Sequence, residues 1–324
     1  MRDLQRILIT NGIPLAGLAL PDSFVMDYPG EGLAFAREEL LHLLPKADAV
    51  LACSVLDREM IEIAQKLKII VCYGAGYDAI DMEAATNAGI SVANIPDSVT
   101  EVTAELAISL ILCLARRICE LNGKIRQAEP RNAFGLGKYM GTSLKGSTLG
   151  IVGMGRIGAR VADFGRFMGM KVIYASRSPK PEQAHLGAER CSLETLMKTA
   201  DFVSLHCPHT PETDQLIDRK LLLLMKPTAY LINTARGRMT DENALLDVLR
   251  ENRIAGAGLD VFVGEPDVNP AWAALSNVIL TPHIGSNTVQ ARREMLLAAF
   301  ERIADALAGK KPQNLLNPQV WKGI

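Results

Sequence analysis

Residues 148–178 constrain the fold of this 324-residue chain more than any other segment, because they carry three glycines in the order G-x-G-x-x-G. An apolar run precedes the glycines, and an amphipathic stretch and a second apolar run follow them. This order predicts a strand, a tight turn, a helix and a second strand. In such a turn Gly153 permits the bend, Gly155 lets the backbone approach a pyrophosphate, and Gly158 lets the helix pack on the strand. The sequence therefore predicts a dinucleotide-binding turn, with a glycine-rich turn that binds no ligand as the alternative.

Short apolar runs alternate with amphipathic stretches along the rest of the chain as well. This alternation predicts parallel sheets whose strands are joined by helical crossovers. Besides the two strands beside the glycine turn, the predicted strands are residues 7–10, 49–53, 68–73, 91–94, 201–206, 229–235, 255–262 and 277–283, with helical spacing at 35–44, 58–67 and 289–308.

A domain boundary is predicted near residue 98. Pro96 disfavours helix just before it, and Ser98 with Glu101 forms a capping-box pattern. The run that follows is apolar nearly all round, which predicts a buried helix, and a polar stretch over 122–146 shows no clear period. We predict two doubly wound α/β domains, a Rossmann-type nucleotide domain inserted into a smaller flavodoxin-like substrate domain. The predicted bounds are 99–287 for the nucleotide domain, and 1–98 with 288–324 for the substrate domain.

Composition excludes several classes of protein. Lys and Arg total 35 and Asp and Glu total 36, so a mainly electrostatic nucleic-acid binder is disfavoured. The six cysteines show no zinc-type spacing, so we predict no metal and a reducing compartment. No apolar run approaches the roughly 20 residues of a membrane span, the nearest being Ala104 to Ala115, and the apolar N-terminus is interrupted by Asn11 and Pro14. A cytoplasmic protein without a membrane partner is expected.

The residue expected to hold the adenosine ribose lies roughly 20 positions beyond the glycine turn and is usually acidic. Here Ser176, Arg177 and Ser178 occupy that place, and the next acid is Glu182. An arginine with two hydroxyls can bind a 2′-phosphate through charge-assisted hydrogen bonds. The sequence therefore predicts that NADP is preferred and NAD is the lesser cofactor, unless Arg177 is an ordinary exposed loop arginine.

Three reactive side chains follow predicted strands of the second half of the chain: Arg236, Glu265 and His283. Ligands of open parallel sheets bind at the carboxyl ends of the strands, so these side chains are expected to converge there. Taken singly, each has an ordinary alternative as a loop arginine, a turn carboxylate or a structural histidine. Their segments are NTARG (233–237), GLDVFVGEP (258–266) and TPHIGSNT (281–288).

Together with further motifs, these segments resemble the D-isomer-specific 2-hydroxyacid dehydrogenase family over nearly the whole chain. Within that family the chain is most similar to the NADP-preferring glyoxylate and hydroxypyruvate reductases, partly because of Ser176 and Arg177. The further motifs are YGAGYDAID (73–81), HCPHTPET (206–213), Asp241 after NTARG, and GAGLDVFVGEP (256–266).

The resemblance implies a role for each reactive group. Arg236 would bind the carboxylate and carbonyl oxygen of the substrate, and protonated His283 would give a proton to the forming alkoxide. Glu265 would bond the other ring nitrogen and favour the protonated imidazole. A carboxylate at that position also differs from the amide of the formate dehydrogenase branch, whose chemistry transfers no proton. Backbone N–H groups of Ala75 and Gly76 would hold the substrate carboxylate.

The resemblance also implies a set of cofactor contacts. Asp260 would bond the nicotinamide carboxamide, while Thr103 and Thr234 would line the nicotinamide. The backbone of His206 would lie near the adenosine. The full predicted cofactor-binding set is Thr103, Gly153, Gly155, Arg156, Ile157, Gly158, Ser176, Arg177, Ser178, Pro208, Thr213, Thr234, Asp260, His283 and Gly285.

The predicted function is reduction of a small 2-keto acid, glyoxylate or hydroxypyruvate, to a D-2-hydroxy acid. A bulkier substrate such as 2-ketogluconate is the alternative within the same chemistry, and a nicotinamide-sensing regulatory protein is the alternative outside it. The resemblance further implies a homodimer, and the pair of domains implies a hinge near residues 98 and 287 that closes on substrate. Residues 128–140 lack the tryptophan found in many relatives, with Phe134 or Tyr139 as its substitute.

Overall fold

The computed structural model describes residues 4–15, 23–126, 135–180 and 187–322. Contacts divide the chain into two compact units, the first made of Met1–Val99 with Thr288–Ile324 and the second of Thr100–Asn287. Each unit is built on one sheet whose strands all pair in parallel. The predicted fold class of two parallel-sheet α/β domains is confirmed.

Strands and helices alternate over most of the chain, as predicted. The elements up to residue 126 are β1 (Gln5–Ile9), β2 (Phe24–Asp27), α1 (Arg37–Leu43), β3 (Ala49–Ala52), α2 (Arg58–Glu62), β4 (Ile69–Cys72), α3 (Met82–Asn87), β5 (Ser91–Ala93), α4 (Asp97–Ala115) and α5 (Ile118–Arg126). Those that follow are β6 (Thr148–Val152), α6 (Arg156–Phe167), β7 (Lys171–Ala175), β8 (Glu189–Arg190), α7 (Leu193–Thr199), β9 (Phe202–Leu205), α8 (Arg219–Leu222), β10 (Tyr230–Asn233), α9 (Glu242–Arg250), β11 (Gly256–Leu259), β12 (Val278–Leu280) and α10 (Val289–Leu307).

The sheet of the first unit has the order β2-β1-β3-β4-β5. Every residue of β3 and β4 is buried, as expected for parallel strands covered on both faces. α10 packs on β3 and β4, and its Phe300 and Ile303 share one apolar cluster with Leu51 and Val71. The C-terminal part of the chain therefore packs on the sheet that the N-terminal part forms, because this arrangement buries the apolar face of α10.

The sheet of the second unit has the order β12-β11-β10-β9-β6-β7-β8. β6 lies between β7 and β9, so the direction of winding reverses beside it. Such a switch point opens a crevice at the carboxyl ends of the strands. The glycine turn follows β6, so it lies at the mouth of this crevice.

The capping-box prediction was wrong. α4 begins at Asp97, directly after Pro96, so Ser98 lies inside the first turn rather than capping it. The negative charge of Asp97 in the first turn is favoured by the helix dipole, which fits this earlier beginning. The stretch over 122–146 was also not entirely irregular, because α5 occupies its first residues. α5 begins at Ile118, four residues before this stretch, so only its last five residues fall inside it, and none of them is buried.

α4 is also the one helix in the described part of the chain that is long and apolar enough to cross a membrane. Its 18-residue window has a mean hydropathy of 1.7, and half of that window is buried in the protein. In the sequence, only its part from Ala104 to Ala115 was identified as an apolar run and that run was judged too short, whereas the helix spans Asp97–Ala115. The core helix of a protein passes the same test of length and composition. Leu110 of α4 packs directly on β11, because a Cβ added at Gly258 would lie 3.1 Å from the Leu110 Cβ.

Candidate active site

Glu265 and His283 form a hydrogen-bonded pair beyond the ends of β11 and β12. His283 Nδ1 lies 2.7 Å from Glu265 Oε2, and Glu265 Oε1 accepts a 2.6 Å hydrogen bond from the Phe262 N–H. Both side chains keep exposed surface, 51% for His283 and 30% for Glu265. The carboxylate is thus held from two sides, while the second ring nitrogen of His283 remains available to a ligand.

The pKa of Glu265 is lowered by its surroundings. Partial burial alone would raise it, but the hydrogen bonds from His283 and from the Phe262 N–H outweigh burial. The positive charges of His283 and Arg236 act in the same direction. Glu265 is therefore ionised at neutral pH and can hold a protonated imidazole.

His283 itself sits in the left-handed region, with φ at 51°. A non-glycine residue held there costs on the order of 1–3 kcal/mol. Two backbone hydrogen bonds from its N–H, 2.9 Å to the Asp260 carbonyl and 3.0 Å to the Thr281 carbonyl, fix the conformation. The loop therefore directs the imidazole towards Glu265, and the two backbone hydrogen bonds offset the conformational strain at His283.

Asp260 organises the loop that carries His283. Its buried carboxylate accepts from the Thr281 hydroxyl at 2.6 Å and from the N–H groups of Ile284 and Gly285, each at 2.8 Å. A Cβ at Gly285 would lie 3.2 Å from Asp260 Oδ2 and 3.6 Å from Thr103 Oγ1, so these three predicted cofactor residues do meet. The sequence predicted a cofactor contact for Asp260, and it did not indicate that the Asp260 carboxylate also anchors this loop.

Arg236 follows β10 in a turn that Asn233 braces. The Asn233 amide donates to the Arg236 carbonyl at 2.8 Å and accepts from the Ala235 N–H at 3.0 Å. The next residue, Gly237, lies against the Phe262 backbone, where a Cβ would approach the carbonyl carbon to 2.1 Å. The Arg236 turn and the Glu265 loop are therefore in direct backbone contact, which only glycine permits. Sequence reasoning missed this contact.

The glycine turn has the geometry that the motif predicts. Gly153 has φ at 97°, and a Cβ there would lie 2.5 Å from the Cys207 nitrogen. A Cβ at Gly158 would lie 2.1 Å from the Gly153 carbonyl oxygen, so helix and turn need both glycines to pack. At Gly155, the N-cap of α6, a Cβ would meet no atom within 4 Å. That open space in front of a helix N-terminus, next to Arg156 and Ile157, fits a pyrophosphate.

The segment Ser176–Ser178 follows β7, as predicted. The Ser176 hydroxyl donates to the Ser178 carbonyl at 2.6 Å, so its proton is used within the loop. Arg190 Nη2 donates to the carbonyls of Ser176 at 3.0 Å and Arg177 at 3.1 Å. Sequence reasoning missed Arg190, because β8 has only two exposed residues and carries no strand signal. Glu182 lies outside the described residues.

The loop after β9 carries the predicted adenosine-side residues. The Thr213 hydroxyl donates to the Pro208 carbonyl at 2.8 Å and accepts from the Thr210 N–H, which closes the loop on itself. Burial lowers the pKa of His206 to about 3, so its ring is neutral, and the ring lies 2.8 Å from the Ser204 hydroxyl. Its backbone N–H donates to the Val152 carbonyl at 2.7 Å.

Three remaining predictions concern residues elsewhere. The buried Thr234 hydroxyl has no hydrogen-bond partner in the part of the chain that is described, so it can still bond a ligand. Ala75 and Gly76 lie in the first unit, directly after β4, and their role in binding substrate stays a prediction. Tyr139 lies beneath the cationic groups of Arg117 and Lys124, each 5.5 Å from its ring centre, whereas Phe134 is outside the described residues.

A dinucleotide-type parallel sheet whose carboxyl edge carries an arginine and a carboxylate–histidine pair defines a nucleotide-dependent oxidoreductase. Residues 108–285 match the family model described as the NAD binding domain of D-isomer specific 2-hydroxyacid dehydrogenases. The chain belongs to this family, as its motifs predicted.

Similar proteins include several named as reductases. The chain is 44% identical over 322 residues to a glyoxylate reductase of Thermococcus litoralis, covering 97% of each chain. Among solved structures, a Thermus thermophilus protein is 38% identical with a TM-score of 0.86, covering 96% of this chain and 100% of that one. An NADPH-dependent glyoxylate/hydroxypyruvate reductase from Sinorhizobium meliloti, in complex with NADP and malonate, is 29% identical with a TM-score of 0.86 and 98% coverage of both.

Proposed function

We propose that this protein reduces a small 2-keto acid, glyoxylate or hydroxypyruvate, to a D-2-hydroxy acid with NADPH. The observation that carries the proposal is the Glu265–His283 pair, held at 2.7 Å beyond a sheet edge that also presents Arg236. A regulatory protein that only senses a nicotinamide nucleotide needs no such acid–base pair. The relatives named glyoxylate reductase support the choice of substrate.

The chemistry follows from these side chains. The reduced nicotinamide, when bound, supplies the hydride that the carbonyl carbon accepts. Arg236 binds the substrate carboxylate and polarises the carbonyl with its planar fork of donors. Because His283 Nδ1 is engaged with Glu265, the proton for the forming alkoxide comes from Nε2. Ionised Glu265 orients the ring and stabilises its protonated form before transfer.

Steady-state reduction of a panel of 2-keto acids tests this function. We expect the highest kcat/KM with NADPH and either glyoxylate or hydroxypyruvate. Faster reduction of 2-ketogluconate would favour the bulkier substrate, and equal use of NADH would refute the NADPH preference. NADPH binding without turnover on any acid would favour the sensing role. The homodimer, the cytoplasmic location, the domain roles and the hinge near residues 98 and 287 stay predictions.

Gly155 and Gly158 form a matched pair that separates cofactor binding from folding. Gly155→Val places its side chain in open space, so we expect a loss of stability of about 1 kcal/mol or less and at least a 10-fold weaker Kd for NADPH. Gly158→Val forces its Cβ onto the Gly153 carbonyl, so it should lower the free energy of unfolding by about 3 kcal/mol or more. Thermal unfolding and NADPH fluorescence titration measure the two effects. Unchanged NADPH affinity in Gly155→Val would contradict the pyrophosphate assignment.

A further inference from the structure

We propose that Arg190 determines specificity for the 2′-phosphate of NADPH, as a second cationic residue beside Arg177. The inference deepens the proposed function and rests on its preference for NADPH. It assigns a role to a residue that lies 12 positions beyond Ser178, on the edge strand β8 rather than in the loop after β7.

The position of Arg190 follows from the pairing of the edge strand. β8 pairs in parallel with β7, and Arg190 is in register with Tyr174, two residues before Ser176. From that register its side chain reaches the carbonyl oxygens of Ser176 and Arg177 with a single nitrogen, Nη2. Arg190 therefore fixes the backbone of the loop that carries Arg177.

This contact also changes the local charge. A carbonyl oxygen is the negative end of a peptide dipole, and two of them face one point of this loop. A phosphate monoester carries a charge of about −1.5 to −2 at neutral pH, so exposed carbonyls would repel it. A guanidinium placed on both carbonyls cancels that repulsion and leaves a net positive loop.

Arg190 keeps the capacity to bind an anion. A guanidinium has five N–H donors, of which Nη2 supplies only two. Across the described ranges, no carboxylate pairs with Arg190, and its Nε and Nη1 make no hydrogen bond. The side chain is exposed, as is that of Arg177. Two guanidinium groups, Arg177 in the loop and Arg190 on β8 beside it, can hold a phosphate dianion with charge-assisted bonds more tightly than either could alone.

Among the described residues, Glu212 on the loop after β9 is an acidic group that interacts with Arg177. The pKa of Glu212 is lowered mainly by the hydrogen bond from the Thr210 hydroxyl, with a smaller contribution from Arg177. A carboxylate close to Arg177 weakens its pull on a phosphate. Arg190 forms no ion pair with a carboxylate in the described part of the chain, so it adds an unneutralised positive charge beside Arg177.

The experiment measures binding of 2′,5′-ADP and 5′-ADP to the full chain by calorimetry, so that affinity for the 2′-phosphate is read without turnover. We expect Arg177→Ala and Arg190→Ala each to weaken 2′,5′-ADP binding by about 10-fold or more, the loss of one charged hydrogen bond. Affinity for 5′-ADP should stay within about twofold.

Arg190→Lys should recover only part of the loss, because an ammonium cannot reproduce the planar fork. Arg250→Ala removes another exposed arginine of the same unit, paired with Asp247, and should change neither affinity.

The outcomes separate the two proposals. Loss of 2′,5′-ADP affinity in Arg177→Ala but not in Arg190→Ala would overturn the role of Arg190 and leave the NADPH preference intact. A wild-type protein that binds both nucleotides equally would overturn both proposals. An equal loss for 2′,5′-ADP and 5′-ADP in Arg190→Ala would show a general effect on the fold and overturn specificity. A thermal unfolding midpoint close to that of the wild type confirms that each variant is folded.

Discussion

Replacing His283 with alanine should lower kcat for keto-acid reduction by about 10²–10⁴-fold, the usual contribution of a general acid. The loss follows because no other described group is placed by Glu265 to give the alkoxide its proton. NADPH affinity should change much less than kcat, since His283 is one of many predicted cofactor contacts but the only predicted proton donor. Steady-state kinetics with a nucleotide titration measure both quantities. His42→Ala, which removes an exposed histidine on α1, is the control and should keep full activity.

Glu265→Gln extends this prediction to pH. A glutamine side chain cannot ionise, so this variant should lose the fall in rate at low pH that the protonation of Glu265 causes in the wild type. In the wild type, the pair is lost at the acidic end as pH drops through the lowered pKa of Glu265, below its ordinary value of 4.5. Identical pH profiles for wild type and Glu265→Gln would refute the pairing as a functional device.

Arg236→Lys should lower kcat/KM for the keto acid by about 10²–10³-fold, mostly through a higher KM. Lysine keeps the charge but loses the planar donor pair that matches a carboxylate and its adjacent carbonyl. The Arg236 turn is braced by Asn233 and packed on Phe262, so the substitution should not move the loop.

The matched control for this substitution is Arg238→Lys. Arg238 lies in the same loop, is exposed, and pairs with Asp214 at 3.0 Å. Its replacement should leave kcat/KM unchanged. A normal KM in Arg236→Lys would rule out a bidentate role for Arg236.

Several parts of the site could be predicted from the sequence because their causes are local. An apolar run followed by G-x-G-x-x-G specifies its turn through neighbouring residues alone, and the structure places Gly153 and Gly158 where only glycine fits. Alternation of apolar and amphipathic segments likewise predicts a parallel α/β fold without knowledge of distant contacts. The order of the motifs was sufficient to indicate the family.

Other features depended on contacts between residues far apart in the chain, which no local pattern records. The partners of Asp260 lie 21 to 25 residues away, and the contact of Gly237 with Phe262 joins two loops that follow neighbouring strands. Arg190 reaches the Ser176 loop only because β8 pairs with β7 at the sheet edge. The two exposed residues of β8 are too few to leave a periodic signal in the sequence. The sequence by itself determined the fold class and the glycine turn, and it predicted which side chains react. The tertiary structure alone decided which carbonyl, carboxylate and N–H each of those side chains meets, because these distances are set by how separate strands pack side by side.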